Sequence, residues 1–468
     1  MVHSSSNELN RTLGLKLAVV AVVGNILGSG VYKKVAPMAA ELDSAALVLL
    51  CWILGGIVTL FGALSSAELA GMLADTGGEF TYYKKVYNRF FAFIFGWSVF
   101  TVIKTATIAS LAYVFTESLN GIVPLPELLT GWSDINLFGI FHPFADFNIK
   151  LVAIILILLL TLFNTSGIKT GMGLSTALLV LVVLGISMII LFGLTSSQSH
   201  ISPVLNDYGT TSFHISSIFT AMLAAFWAYE GWSAVGYIAG EIKEPNRNVP
   251  KSLAIGVFIV IALYLAVNVT YLSLLTVPQL KSIYESHNQI AAVEAVRVFW
   301  GPKGVMLISF LILITTLGCN HASIISNARV YYAMAKEGLF FKKVGTVNKA
   351  KVPATALWYQ GIWSSVLVLS GTFDQLTDML IFAAFIFYGA TTLGVIIMRI
   401  RKPDLHRPYK VWGYPVVPAL FLVFCVGFIF NTIISRPREA GIGMVLIAIG
   451  IPFYFYFTRR SIKNKISS

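Results

Sequence analysis

The sequence predicts an all-α polytopic membrane protein: about twelve transmembrane helices, set out as a five-plus-five inverted repeat with two further helices behind it. Three observations predict this. The chain of 468 residues is 57% hydrophobic and only 12% charged, with a mean hydropathy of +0.79, about half the charged fraction of an ordinary soluble domain. Apolar runs of roughly 20 residues recur along nearly its whole length, each enough to cross a bilayer as a helix. They are continuous and do not alternate apolar with polar, which excludes a transmembrane β-barrel. Two of the runs are broken by glycine near their middles, at matching places in the two halves.

In chain order, the expected spans are α1 15–40, α2 44–72, α3 90–118, α4 149–165, α5 172–195 and α6 215–240. They continue with α7 252–277, α8 303–335, α9 354–371, α10 376–399, α11 415–435 and α12 440–458. A polar tail, 1–14, precedes α1; no cleavage site follows the first apolar run, so a signal peptide is not expected. The first repeat is 15–195 and the second 215–399; α11 and α12 occupy 413–458, and 459–468 is a second tail. Basic residues bound every second loop: Lys84, Lys85 and Arg89 between α2 and α3, Lys169 between α4 and α5, and Lys243, Arg247 and Lys251 between α6 and α7. Lys336, Lys342, Lys343, Lys349 and Lys351 follow α8, and Arg399, Arg401, Lys402, Arg407 and Lys410 follow α10. Such a bias marks cytoplasmic loops. The expectation is a multi-pass protein of the plasma (inner) membrane with both termini cytoplasmic. The net charge of +12 is then an orientation signal and implies no nucleic-acid partner. The one long outer loop, 119–148, holds Pro124, Pro126, Pro143, Glu127, Asp134 and Asp146 and is too short to fold alone. Cys51, Cys319 and Cys425 all lie in apolar runs and read as small buried side chains, neither disulfide partners nor metal ligands.

The breaks are where chemistry is expected. The first reads Gly24-Asn25-Ile26-Leu27-Gly28-Ser29-Gly30-Val31 and the second Phe226-Trp227-Ala228-Tyr229-Glu230-Gly231-Trp232-Ser233. Unwound backbone at membrane depth is tolerated only where it lines a cavity, and paired broken helices in corresponding repeats point to the substrate site of a secondary transporter. Free amides at Gly28-Ser29-Gly30 suit an anion such as an α-carboxylate. The carbonyls around Ile26 suit an ammonium, so a zwitterion is the natural guest. Read alone, the glycine cluster would serve equally for close helix packing. Trp227 can close over a ligand as a lid. Glu230 is the most conspicuous carboxylate deep in a span, and an intramembrane carboxylate is functional by default. It can take part in proton coupling, or its side chain can point to a vestibule while only its carbonyl meets substrate. Lys104, in mid-α3, can pair with Glu230, contact substrate, help a gate, or simply lock α3. His321 beside Asn320 in α8 can relay a proton or hydrogen-bond across helices. No G-x-x-x-x-G-K-[ST] loop, H-E-x-x-H pair or G-x-S-x-G elbow occurs, so neither ATP-driven transport nor an enzyme is expected, and no cofactor or metal.

The motifs resemble those of the amino acid–polyamine–organocation superfamily, especially bacterial relatives of the L-type amino acid transporters. Gly24–Val31 is similar to that family's α1 signature, and Ala228-Tyr229-Glu230-Gly231-Trp232 to its A-Y-x-G-W in α6. Glu241-Ile242-Lys243-Glu244-Pro245-Asn246-Arg247-Asn248-Val249-Pro250 resembles E-I-K-x-P-x-R-N-[IL]-P. Thr76-Gly77-Gly78-Glu79-Phe80, the stretch Arg329 to Gly338, and Arg407 to Pro415 match further motifs in family order. The resemblance implies a leucine-transporter-type fold that moves L-amino acids by alternating access, with small to medium neutral substrates first and cationic amino acids or polyamines as the alternative. It implies that the amides of Ser29, Gly30 and Val31 bind the substrate carboxylate, that the carbonyls of Ile26, Trp227 and Glu230 take its ammonium, and that Trp227 is the gate. Coupling falls to Glu230, Lys104 or His321, to a sodium site without a recognisable signature, or to obligatory exchange. Relatives often carry a lysine early in α5, where this chain has Ala177-Leu178-Leu179-Val180. Some eukaryotic relatives bind a partner subunit through an outer-loop cysteine; the outer loops here have none, so the partners expected are the amino acid and the bilayer.

Overall fold

The computed structural model describes residues 11–73, 75–135, 137, 143–201, 214–286 and 289–466. Most of the expected first tail, parts of the 119–148 loop and the last two residues lie outside them. Among the described residues, nine helices are long and apolar enough to cross a bilayer. These are α2 (Ala45–Leu73), α3 (Arg89–Ile122), α4 (Phe147–Asn164), α5 (Ser175–Leu194 of a helix beginning at Ile168), α7 (Pro245–Leu274), α8 (within Ala291–Lys336), α10 (Phe373–Arg401), α11 (Val416–Ser435) and α12 (from Pro437). The other three expected spans are present but short. α9 is Ala354–Ser370, and α1 and α6 are interrupted. α1 runs over Leu15–Ile26 and resumes as Gly30–Lys33 and Val35–Leu42; α6 runs over Ile215–Tyr229 and resumes at Ala234–Tyr237.

Local chemistry explains many boundaries. Asn88 caps α3 by accepting from the Phe91 amide at 2.8 Å. Pro245 opens α7 at a position where a missing N–H costs nothing. Thr372 and Gln375 form a capping box at the start of α10. Three features depart from the expected spans. A helix Val277–Glu285, with its own capping box at Thr276 and Gln279, lies between α7 and α8. α8 is preceded by a further helical stretch from Ala291, separated from it by a kink at Gly301 (φ +60°) just before Pro302. α12 runs on to Ile466, into the stretch expected as a tail.

Thr12 and Leu13 mark the near face of the bundle; the opposite one is the far face. α2 lies along α7, α1 along α7, and the first half of α6 against α2; separately, α3 lies along α8 and α4 along α9. The outward surface is apolar: Phe258, Met306, Val423, Val426 and Phe430 are each about two-thirds exposed. Such a surface suits contact with lipid.

Candidate functional site

α1 and α6 touch where they unwind. A Cβ on Gly30 would lie 2.5 Å from the Ala228 Cα, and one on Gly231, at φ +114°, 2.3 Å from the Asn25 carbonyl oxygen. Only glycine fits either place. Tyr264 of α7 ties the breaks together, its hydroxyl 3.0 Å from the Ile26 carbonyl and 2.9 Å from that of Ala228. The crossing leaves a narrow cavity, with space for little more than a water molecule. Ile26, Gly28, Ser29 and Gly30 line it from α1, and Trp227 and Glu230 from α6. No backbone carbonyl among the described residues accepts from the Ser29 or Gly30 amides. Ile26 and Trp227 carbonyls each already take one hydrogen bond, from Tyr264 and from the Glu230 amide. A carbonyl oxygen has a second lone pair, so both can still receive an ammonium.

Trp227 forms the far-side roof. Its indole N–H donates to the Ser29 hydroxyl at 3.3 Å, and its ring meets Phe373 edge-on at 5.7 Å between centroids. Above Phe373 stand Lys33 and Lys34, at 4.8 and 4.6 Å from its ring centre. They pair with Glu117 of α3 at 2.6 Å and Asp374 of α10 at 2.8 Å. The near face is shut as well. Arg329 of α8 and Glu241 at the end of α6 form an ion pair at 2.8 Å with both side chains 1% exposed. Backbone pairing of Leu13 with Ile242 pins the start of α1 to the same place.

Lys104 and Glu230 meet at 2.6 Å, each side chain 3% exposed, and the Tyr388 hydroxyl donates to the same carboxylate oxygen at 2.8 Å. The turn just before Lys104, Val99–Ile103, is π-helical, a local widening frequent at functional sites. The carboxylate therefore turns into a buried pair and not into a vestibule. His321 goes elsewhere: it lies 3.1 Å from the Asn164 amide nitrogen, beside Phe163 of α4. It does not line the cavity, because two residues along a helix from Cys319 turn it roughly 200° away. Val31 is buried but not among the lining residues.

Sequence reasoning passed over Asn25, Thr107, Leu111 and Cys319, which complete the lining. A signal existed for two of them: Thr107 and Leu111 stand three and seven residues after Lys104, on one helical face. Cys319 donates its thiol to the Asn25 carbonyl at 3.3 Å. In α5, Leu178 packs against Gly318 of α8.

A small polar cavity enclosed between two broken helices, inside a lipid-facing bundle shut at both faces, defines a membrane carrier. The chain belongs to the amino acid permease family, whose profile matches residues 13–454. It is 29% identical to the serine/threonine exchanger SteT of Bacillus subtilis (strain 168) over 462 residues, 98% of this chain and 99% of that one. It is 27% identical to the human b(0,+)-type amino acid transporter 1, covering 97% of this chain and 89% of the relative. The human large neutral amino acids transporter small subunit 2 is likewise 27% identical, with 96% and 80% covered.

Proposed function

We propose that this protein is a secondary transporter that exchanges small neutral L-amino acids across the plasma membrane by alternating access. The observation that carries the reading is the cavity between the two unwound segments, roofed by Trp227. Free amides at Ser29 and Gly30 are suited to the substrate carboxylate, and the spare lone pairs at Ile26 and Trp227 to its ammonium. The side chain would face Thr107, Leu111 and Cys319, which offer a hydroxyl, a branched apolar group and a thiol. The likeness to a serine/threonine exchanger over nearly the whole chain supports both the size and the exchange. A cationic substrate is less suited, because Lys104 already neutralises the one carboxylate at the site. The matching breaks in α1 and α6 support two inverted repeats, 15–195 and 215–399, with the near face cytoplasmic and both termini inside. A disulfide-linked companion subunit is not part of this reading, since the three cysteines all lie within helices.

The test is radiolabelled serine, threonine or alanine uptake by purified protein in liposomes, with and without unlabelled amino acid inside. Exchange requires uptake only into loaded vesicles. Equal uptake into empty vesicles under a pH or sodium gradient would replace exchange by ion coupling, and no uptake of any amino acid would end the reading.

A further inference from the structure

The Thr76-Gly77-Gly78-Glu79-Phe80 turn has no part in the cavity, yet it hides a carboxyl. Glu79 opens the short helix Glu79–Val86 on the near face and is 2% exposed. Its Oε2 has no hydrogen-bond partner among the described residues. The turn is pressed onto the near half of α6. Gly77 donates its amide to the Tyr237 carbonyl at 3.1 Å, and a Cβ on Gly78 (φ +52°) would lie 2.9 Å from the Gly236 carbonyl carbon. A Cβ on Gly240 would collide with the Thr76 side chain. The same half of α6 ends at Glu241, held by Arg329. The turn that carries Glu79 is therefore coupled to any movement of this half.

We propose that Glu79 is a proton-binding site in the near-face floor, which holds its proton while that face is shut and releases it to water when the near half of α6 withdraws. A carboxylate with an unpaired oxygen in a dry place is costly, and protonation removes the charge. Burial pushes the carboxyl up to about 7 from its ordinary 4.5. Among its neighbours, Lys104 of α3 favours the ionised form and Glu230 of α6 opposes it. These two are paired with each other, so their fields at Glu79 largely offset. Tyr237 of α6, Tyr388 of α10, and Tyr82 and Tyr83 on its own helix also lie within reach of its charge, and Asp75 acts on Tyr82 from the preceding turn. On the other packed elements, Arg329 of α8 is committed to Glu241, Glu68 of α2 to Arg399 and Arg407, and Glu337 to Lys84.

The sign follows from linkage. The closed form keeps the proton below about pH 7, whereas a hydrated Glu79 loses it above its ordinary value, 4.5. Opening thus releases one proton to near-face water across that window. Acid favours the closed form, and raising the pH toward 7 favours opening by about tenfold per unit. No bond other than the O–H of the carboxyl is made or broken.

The proton site stands on the closed structure alone; only its release rests on alternating access, so two readouts separate them. The first is infrared difference spectroscopy of the full chain in lipid vesicles, titrated from pH 5 to 9 without substrate. The expected result is a protonated-carboxyl carbonyl band that disappears near neutrality and is missing in Glu79→Gln. A band that persists in Glu79→Gln, or no such band in the unaltered protein, overturns the site. Should that variant not fold, Glu79→Asp must shift the band, and an unmoved band overturns the site equally. The second readout is the distance between spin labels at the exposed Lys243 and Lys336. The ratio of open to closed protein should rise about tenfold per pH unit between 5 and 7 and lose this dependence in Glu79→Gln. An open fraction that ignores pH while the band titrates overturns the release step.

Discussion

Lys104 and Glu230 show what a single pair of residues decides. Each was visible in the sequence as a charge inside a span, and such charges need a partner. The pair at 2.6 Å is nearly dry, so its attraction mainly offsets the cost of burying two ions. Lys104→Met should strand Glu230 and destabilise the fold by about 3–5 kcal/mol, seen as a lowered thermal midpoint of the purified protein. Lys104→Met combined with Glu230→Gln should recover most of that loss, since neither member is then a lone ion. A double variant as unstable as the single one would mean that the pair does more than neutralise charge. Residue-scale legibility was uneven. Ile26, Ser29, Gly30, Trp227 and Glu230 were readable because glycine, aromatic and charged residues stand out in an apolar run. Asn25, Thr107, Leu111 and Cys319 were not, because single small or polar residues in a span are ordinary. Val31 is not among the lining residues, and His321 turns toward Asn164 and Phe163 of α4.

At the scale of elements, the breaks in α1 and α6 followed from local composition, since glycine relaxes the backbone wherever it falls. The clamps that shut the two faces did not. Lys33 and Lys34 reach partners in α3 and α10, and Arg329 reaches α6. The near-face clamp makes a prediction about access. Removing one member of a buried ion pair is strongly destabilising to the arrangement that buries the other. Arg329→Ala should therefore shift the protein toward near-face opening and expose Cys319, which lines the cavity. In a background with Cys51→Ala and Cys425→Ala, Cys319 alkylation should quicken by at least about tenfold, and substrate should protect it. Unchanged alkylation would show that this pair does not hold the face shut. The helix Val277–Glu285 escaped notice because nine residues with both lysine and glutamate carry no span-like signal, although Thr276 and Gln279 spelled its cap.

For the whole molecule, hydropathy and charge speak to how the chain sits in the bilayer. The near face collects the lysines and arginines that follow α2, α6, α8 and α10. With that face cytoplasmic, alkaline phosphatase fused after residue 466 should be inactive, and the same reporter within the 119–148 loop active. The opposite pattern would invert the orientation. What the sequence by itself determined was the count and order of spans, the two interruptions, the tryptophan beside the second of them and the charged residues within α3 and α6. These are properties of short stretches, set by hydropathy and by the backbone freedom of glycine. The tertiary structure alone decided that Lys104 meets Glu230 across 126 positions, that Tyr264 joins the two breaks, that both faces are closed, and that Glu79 is buried in a turn packed on α6. Those outcomes depend on which helices pack together and at what rotation. A rotation of one residue turns a side chain by about 100°, a quantity no local pattern records.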